Sequence, residues 1–332
     1  MITLPEYEII RQTRSGPGFI RFSGRHIASS QPVAFHFFPL DHAMLAESVG
    51  MAEAYEGLKG LGSNHVSPVH AVEKITEGPQ TGILLVISPS ENISLVEYRR
   101  RAELSLPDCL DIAIQLATAV NDMHQAGFIH KGLVPSGIEI DPAEKIVRVN
   151  DFAPPVLMGP PSILYYAQHM GGLGIPERHL PYISPEQTGR MNRRIGFQTD
   201  FYSLGIILYE LFTGTPPLSR DGPEKIVHGH VAHRPPSPAE ISPGIPAPIS
   251  DIIMKLLAKD PEHRYQSAYG LRADLKFCQE RIADAVAIEE AFSPGDRDAP
   301  EAFGLSDEIF GRHAAINRLK REFVLSARMA PW

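Results

Sequence analysis

Pro181-Tyr-Ile-Ser-Pro-Glu-Gln-Thr-Gly-Arg-Met-Asn192, with Gln198-Thr-Asp-Phe-Tyr-Ser-Leu-Gly205 close behind it, is the stretch whose reading decides the fold. Downstream, helices are predicted near Thr199–Phe212, Pro223–His230, Ile249–Ala258 and Gln266–Ala287, and Pro261 after Asp260 starts a further helical turn. Upstream, residues 154–194 form a long irregular run rich in glycine and proline. Before that run, Leu110, Ile114, Leu116, Ala117, Val120 and Met123 recur close to the helical period, which predicts a helix over Asp108–Ala126 that Gly127 stops. Phe128–His130 and Ile138–Ile140 flank a loop, and Lys145–Val149 leads into Asn150-Asp151-Phe152. Residues 5–97 read as short strands: Tyr7–Ile10, Pro32–Phe38, Val69–Ile75 and Gly82–Ser88. Turns are expected at Gly16–Gly18 and Gly24, and one helix-compatible interruption over Ala43–Leu61. The order predicts an α+β protein, a strand-rich small lobe followed by a larger helical lobe, with a cleft between them.

The 332 residues carry a formal charge of -8, with 43% hydrophobic and 21% charged residues, which fits a globular chain with no general attraction to nucleic acid. Two cysteines, Cys109 and Cys278, suit neither a disulfide scaffold nor a cysteine-ligated metal. The N-terminus lacks the pattern of a signal peptide, and no apolar run is long enough to span a membrane, so cytoplasmic residence is the expectation. His228, His230 and His233 are read as surface rather than metal ligands, and Arg190–Arg194 as solvated loop.

The deciding stretch resembles the helical lobe of protein kinases, where it matches the end of the activation segment and the start of the helix behind it. The resemblance implies a bilobal kinase-like fold. It implies that Ser184-Pro185-Glu186 replaces the Ala-Pro-Glu motif, that Glu186 pairs with Arg264, and that Asp200 ties its helix to the catalytic-loop backbone. The string Tyr182–Asn192 further resembles the kinase-like N-terminal domain of large bacterial signalling proteins that carry an NTPase module and often a sensor histidine kinase. Residues 309–323 resemble the opening of that NTPase module, although no phosphate loop follows before Trp332.

Several chemical positions depart from the family pattern. Gly132 falls where kinases carry the hydroxyl-orienting aspartate, and Gly137 where they carry the asparagine that helps hold magnesium. His36, in Val33-Ala34-Phe-His36, falls at the ATP-binding lysine, and Ala54 at the glutamate that pairs with it. Glu53 or Glu56 could serve only if the helix turned, by about 100° per residue. Asp151 matches the magnesium aspartate, with Ala153 in place of the following glycine. Phe152 is expected beneath the small-lobe helix and His130 as a packing residue under the loop. Asp151 is read mainly as a structural hydrogen-bonding group, with a ligand role as the alternative. Gly16 survives from the glycine-rich turn. Phe19, Arg21, Ala34, His36 and Asp151 complete the candidate nucleotide cleft.

These substitutions lead to the expectation of a non-enzyme: a kinase-like regulatory or scaffolding domain, with no resident cofactor or metal, working on a protein partner or an adjoining NTPase or histidine kinase module. The alternatives are a nucleotide-binding sensor without turnover and an atypical ATP-dependent phosphoryl or AMP transferase, both keeping ATP or magnesium in the cleft. The expected domains are 5–97 for the N-lobe, 98–280 for the C-lobe, 281–308 for a helix extension and linker, and 309–332 for the start of a downstream module or a packing helix.

Overall fold

Side chains alternate along Phe19–His26 (β2) and Pro32–Pro39 (β3), and this alternation gives the small lobe two working faces. A computed structural model describes residues 4–16, 19–40, 49–76, 81–101, 103–152, 178–191, 193–218, 222–282 and 292–298. The chain divides into a unit of residues 1–298, which holds every described residue, and one of residues 299–332. The expectations for Pro17, Gly18, Ala153 and the segment 309–332 lie outside the described residues.

Five antiparallel strands pair in the order β1-β2-β3-β5-β4, with β1 at Tyr7–Gly16, β4 at Val69–Ile75 and β5 at Gly82–Ile87. One face presents Val33, Phe35, Phe37, Leu84 and Val86, which pack with Leu4 in a separate small core. The other presents Phe19, Phe38, Ile83, Leu85 and Ile87, which join the main core of the molecule. Gly24 does not mark a turn as expected. It sits inside β2 opposite Val33, where an added side chain would run into the Phe35 ring and the backbone of Glu8. Among the described residues helix α1 spans Val49–Glu56 of the Ala43–Leu61 expected; residues 57–61 leave the helix, and 41–48 are outside the described set.

Leu95–Arg101 (α2) leads into Leu106–Gln125 (α3), which begins two residues before the expected Asp108. Ser105 and Asp108 form a reciprocal capping box there, with a proline in the first turn. A short sheet of Ile93–Ser94 (β6), Ile138–Ile140 (β7) and Val147–Val149 (β8) takes up the chain directly after the loop that carries Gly132 and Gly137. Gln198–Thr213 (α4) is buried on nearly all sides, as a helix with apolar residues around its whole circumference must be. Pro238–Ile241 (α6) and Ala247–Leu256 (α7) pack against it, Pro223–Ala232 (α5) meets it through His230 and Tyr202, and Ala268–Glu280 (α8) packs on α3 and α7. The architecture is a kinase-like fold, an antiparallel N-lobe sheet above a helical C-lobe.

Residues 292–298 lie in the stretch expected as a linker, yet they are held to α8. Asp298 accepts hydrogen bonds from the backbone of Gln266 and Ser267 and from the Ser267 hydroxyl, at 2.6, 2.9 and 2.8 Å. The Gly295 amide donates to Asp274 at 2.7 Å, and Phe292 stacks on Phe277.

Candidate functional site

In the β2–β3 ladder Arg21 stands directly opposite His36, so both side chains leave the sheet on the face that meets the helical lobe. Ala34 is one pleat further along that face, and Gly16 pairs with Phe19 across the β1–β2 ladder. β8 delivers Asp151 to the same place. The Asp151 carboxylate is 4% exposed and lies between two guanidinium groups. Its Oδ1 is 2.7 Å from Arg21 Nη2, and its Oδ2 accepts a hydrogen bond of 2.9 Å from Arg178 Nη2. Arg178 lies over the Phe19 ring at 4.4 Å, with Arg21 at 5.7 Å and Arg14 at 5.9 Å from the same centroid.

Burial acts to raise the pKa of Asp151, but the guanidiniums of Arg21 and then Arg178 outweigh it and hold the carboxyl well below the usual carboxylate range. Burial, reinforced by Arg21, pushes His36 down to about 3, so its ring is neutral near pH 7. His179 is likewise pushed down to about 3 by burial and then by Arg178. Several buried polar atoms around the carboxylate have no hydrogen-bond partner: Arg21 Nε and Nη2, His36 Nδ1 and His179 Nδ1. Arg21 Nη2 is thus within ion-pair distance of Asp151 without being aligned for a hydrogen bond.

Beneath this cluster the loop is ordered by backbone contacts. Asp200 in α4 accepts from the amides of His130 and Lys131 at 2.8 and 2.7 Å, and bonds His124 at 2.9 Å. His130 donates from Nε2 to the Asp151 carbonyl at 3.0 Å, while its Nδ1 accepts from the Gly132 amide at 3.3 Å. Those two partners select the neutral Nε2–H tautomer. Phe152 is fully buried, edge-on to Phe128, which in turn meets Tyr55 of α1. The Gly137 carbonyl accepts from the amides of Asn150 and Asp151, and a Cβ at residue 137 would stand 2.5 Å from the Asp151 Cβ. Glu53 is exposed and Glu56 is paired with Lys59 at the surface, so neither meets His36; Ala54 lies in α1.

Glu186 and Arg264 form a fully buried pair, as the resemblance implied. His230 is not at the surface, correcting the reading of the His228–His233 run. It is fully buried, 3.2 Å from the Tyr202 hydroxyl and 2.8 Å from the Leu180 carbonyl, whereas His228 and His233 are not buried. Arg193 is engaged with Asp260 and Glu262. Sequence reasoning missed Arg178 and His179, which lie 27 and 28 positions beyond Asp151 at the end of an irregular stretch. No motif marked them. Beside Arg178 a pocket of about 460 Å³ opens on the helical lobe, lined mainly by apolar groups of Val96, Val134, Pro135, Tyr182 and Ile226.

A two-lobed fold with a buried acidic residue where the small-lobe sheet meets the helical lobe defines a kinase-like class of protein. Residues 22–274 match the family model described as the protein kinase domain, and the chain belongs to that family. It is 33% identical over 178 residues to a probable serine/threonine-protein kinase of Clostridium perfringens, a match covering 54% of this chain and 24% of that protein. It is 43% identical over 95 residues to hybrid signal transduction histidine kinase G of Dictyostelium discoideum, covering 29% of this chain and 3% of that protein. The matches therefore span a quarter or less of these relatives. Among solved structures, the Mycobacterium tuberculosis PknI kinase domain aligns with a TM-score of 0.61 at 18% identity, covering 84% of this chain and 97% of that one. At that identity the likeness speaks for the fold.

The expectation of a non-enzyme is corrected by these findings. The family is that of protein kinases, and its curated relatives are named serine/threonine-protein kinases. The family generally uses ATP and magnesium. The cluster of guanidinium and imidazole N–H groups fits the phosphates of ATP, since several of those atoms are buried without a partner. Magnesium does not fit this arrangement. Both Asp151 oxygens face guanidinium groups, residue 137 offers neither a ligand atom nor room for one, and no cluster of three or more acidic, histidine or cysteine ligands occurs among the described residues.

Proposed function

We propose that this chain is a kinase-family signalling domain that takes ATP in the cleft between its lobes and transfers the terminal phosphoryl group to a serine or threonine hydroxyl. The names of its relatives support the acceptor class. The observation that carries the reading is the buried, ionised Asp151 held at the cleft between Arg21 and Arg178.

ATP supplies an activated phosphorus with a good leaving group. Phosphoryl transfer passes through a loose transition state in which charge stabilisation and positioning do most of the catalysis. Arg21 and Arg178 are placed to neutralise charge on phosphate oxygens, the service an arginine finger gives elsewhere. Once a guanidinium turns from Asp151 to a phosphate, the freed carboxylate accepts the hydrogen bond that orients the acceptor hydroxyl. The acceptor oxygen then bonds to phosphorus, the bond to the diphosphate leaving group breaks, and the hydroxyl proton passes to water. The apolar pocket beside Arg178 offers a seat for the polypeptide around the acceptor.

We place the domain in the cytoplasm, beside an NTPase or histidine kinase module as input partner. The likeness of the Tyr182–Asn192 string and the match to a hybrid histidine kinase support that placement. The test is transfer of labelled terminal phosphate to the protein itself and to a serine/threonine substrate, in magnesium, in manganese and in chelator. Asp151→Asn should lower labelling by about a hundredfold. Wild-type labelling no greater than that of Asp151→Asn in all three conditions overturns the proposal.

A further inference from the structure

We infer that the Arg14, Arg21 and Arg178 cluster is a nucleotide polyphosphate site that works without a divalent metal, and that the Asp151 carboxylate is its resident anion, displaced when the nucleotide enters. The inference rests on the proposed ATP reading but concerns how the phosphates are held.

Charge is unbalanced in this cluster. Among the described residues, Arg14, Arg21 and Arg178 stand near the Phe19 ring, Arg14 on the exposed side, and one carboxylate, Asp151, lies between Arg21 and Arg178. The imidazoles of His36 and His179 are neutral, so they add no charge but do offer ring nitrogens. Two largely buried positive charges against one negative leave, among the described residues, an excess of one that an added anion would balance locally, with Arg14 at the rim adding to the attraction. That excess is largely withdrawn from solvent, since the Arg21 side chain is 16% exposed and that of Arg178 is 22% exposed.

Hydrogen-bond geometry points the same way. Buried N–H groups without acceptors cost free energy, and native structures seldom keep several together. Here Arg21 Nε and His36 Nδ1 lack partners, and Arg21 Nη2 lies 2.7 Å from Asp151 Oδ1 without a hydrogen bond aligned to it. Asp151 offers two oxygens and cannot satisfy the whole set. A polyphosphate brings several acceptor oxygens, and guanidinium groups bind phosphate oxygens in pairs with good geometry. The guanidiniums then do by charge what a divalent cation does in relatives, while the carboxylate that would hold such a cation is already engaged.

Direct competition between Asp151 and phosphate has a distinctive consequence. Removing the carboxylate charge should improve nucleotide binding, whereas an Asp151 that held a metal for the phosphates would make the same change weaken it. The experiment is calorimetric titration of the full chain with ADP, adenosine and inorganic pyrophosphate, each in magnesium and in chelator. ADP should bind in chelator within about threefold of its affinity in magnesium, and adenosine at least about tenfold more weakly. Asp151→Asn should tighten ADP binding in chelator by about threefold or more, and Arg21→Gln should weaken it by about tenfold. Thermal melts of each variant establish that it is folded, and the wild-type comparison needs no variant. ADP binding that demands magnesium, or that Asp151→Asn abolishes, overturns this inference and leaves the transferase reading standing. Metal-free binding without phosphate transfer overturns the transferase reading alone. Absence of binding by ADP and pyrophosphate in both buffers overturns the inference outright, as does tight binding of adenosine without any gain from phosphate.

Discussion

Arg264 meets Glu186 through two parallel hydrogen bonds, Nη1 to Oε1 at 2.8 Å and Nη2 to Oε2 at 2.9 Å, with both side chains removed from solvent. Thr199 donates to the same Oε1, and the remaining guanidinium protons reach the carbonyls of Gln198, Ala258 and Lys259. Removing one partner leaves a buried charge uncompensated. Arg264→Leu and Glu186→Gln should each lower unfolding free energy by about 3–5 kcal/mol in denaturant titrations. Arg264→Lys should recover only part of the loss, because an ammonium cannot make the paired contact. A change below about 1 kcal/mol for either removal would refute this view of the pair.

Asp200 performs a different task, gathering the amides of two successive residues, His130 and Lys131, onto one carboxylate. Asparagine can replace only one of those acceptors and turns an N–H toward the other amide. Asp200→Asn should cost about 2–3 kcal/mol. Hydrogen exchange at His130 and Lys131 should quicken by more than the global loss of stability accounts for, and unchanged exchange there would count against the assignment.

Acid should destabilise the fold well above the range where carboxylates titrate. His36, His179 and His230 are each pushed from 6.5 to about 3, burial being the first cause in every case. Between those values the unfolded chain takes up protons that the folded chain refuses, so stability is greatest above about 6.5 and falls as pH drops toward 3. Each proton contributes a slope of about 1.4 kcal/mol per pH unit, and three give about 4 kcal/mol per unit in mid-window. Asp151, whose pKa is lowered in the fold, adds a loss of the same sign below its ordinary value of 3.8. Urea melts between about pH 7.5 and 5 measure this slope, and a flat profile would contradict buried neutral histidines.

Asp298 caps the start of α8 from outside the helix, and Asp298→Ala should release residues 292–298 and cost about 1–2 kcal/mol. Proteolysis within 292–298 should accelerate in the variant while the melting curve stays cooperative. Equal cleavage in both proteins would argue that the Gly295–Asp274 hydrogen bond and the Phe292–Phe277 stack hold the segment without Asp298.

The helical lobe was legible because its information is local. The period of α3 and α4, the Pro–Glu turn and the Asp200 position can be read within short windows. The small lobe was harder. β1 runs on to Gly16 through an exposed, polar edge strand whose residues carry no alternation, so its end looked like turn. Asp151 was found together with Arg21 and His36, but Arg178 and His179 were not: they reach it only through tertiary folding, and a single arginine in an irregular stretch gives no periodic or motif signal. The same is true of His230, whose burial depends on the Tyr202 hydroxyl and the Leu180 carbonyl, 28 and 50 positions away. The non-enzyme expectation weighed the losses at Gly132 and Gly137 without knowing that Arg178 joins Arg21 at Asp151.

The crowding between Gly137 and Asp151 has a consequence for lineage. Any side chain at 137 collides with the Asp151 Cβ while that residue stays between its two arginines. A mutation toward the family asparagine is therefore disfavoured on its own, however useful the new group would be after a second change. Room for a side chain at 137 has to come from a shift of Asp151, so a change at one position constrains what the other can tolerate.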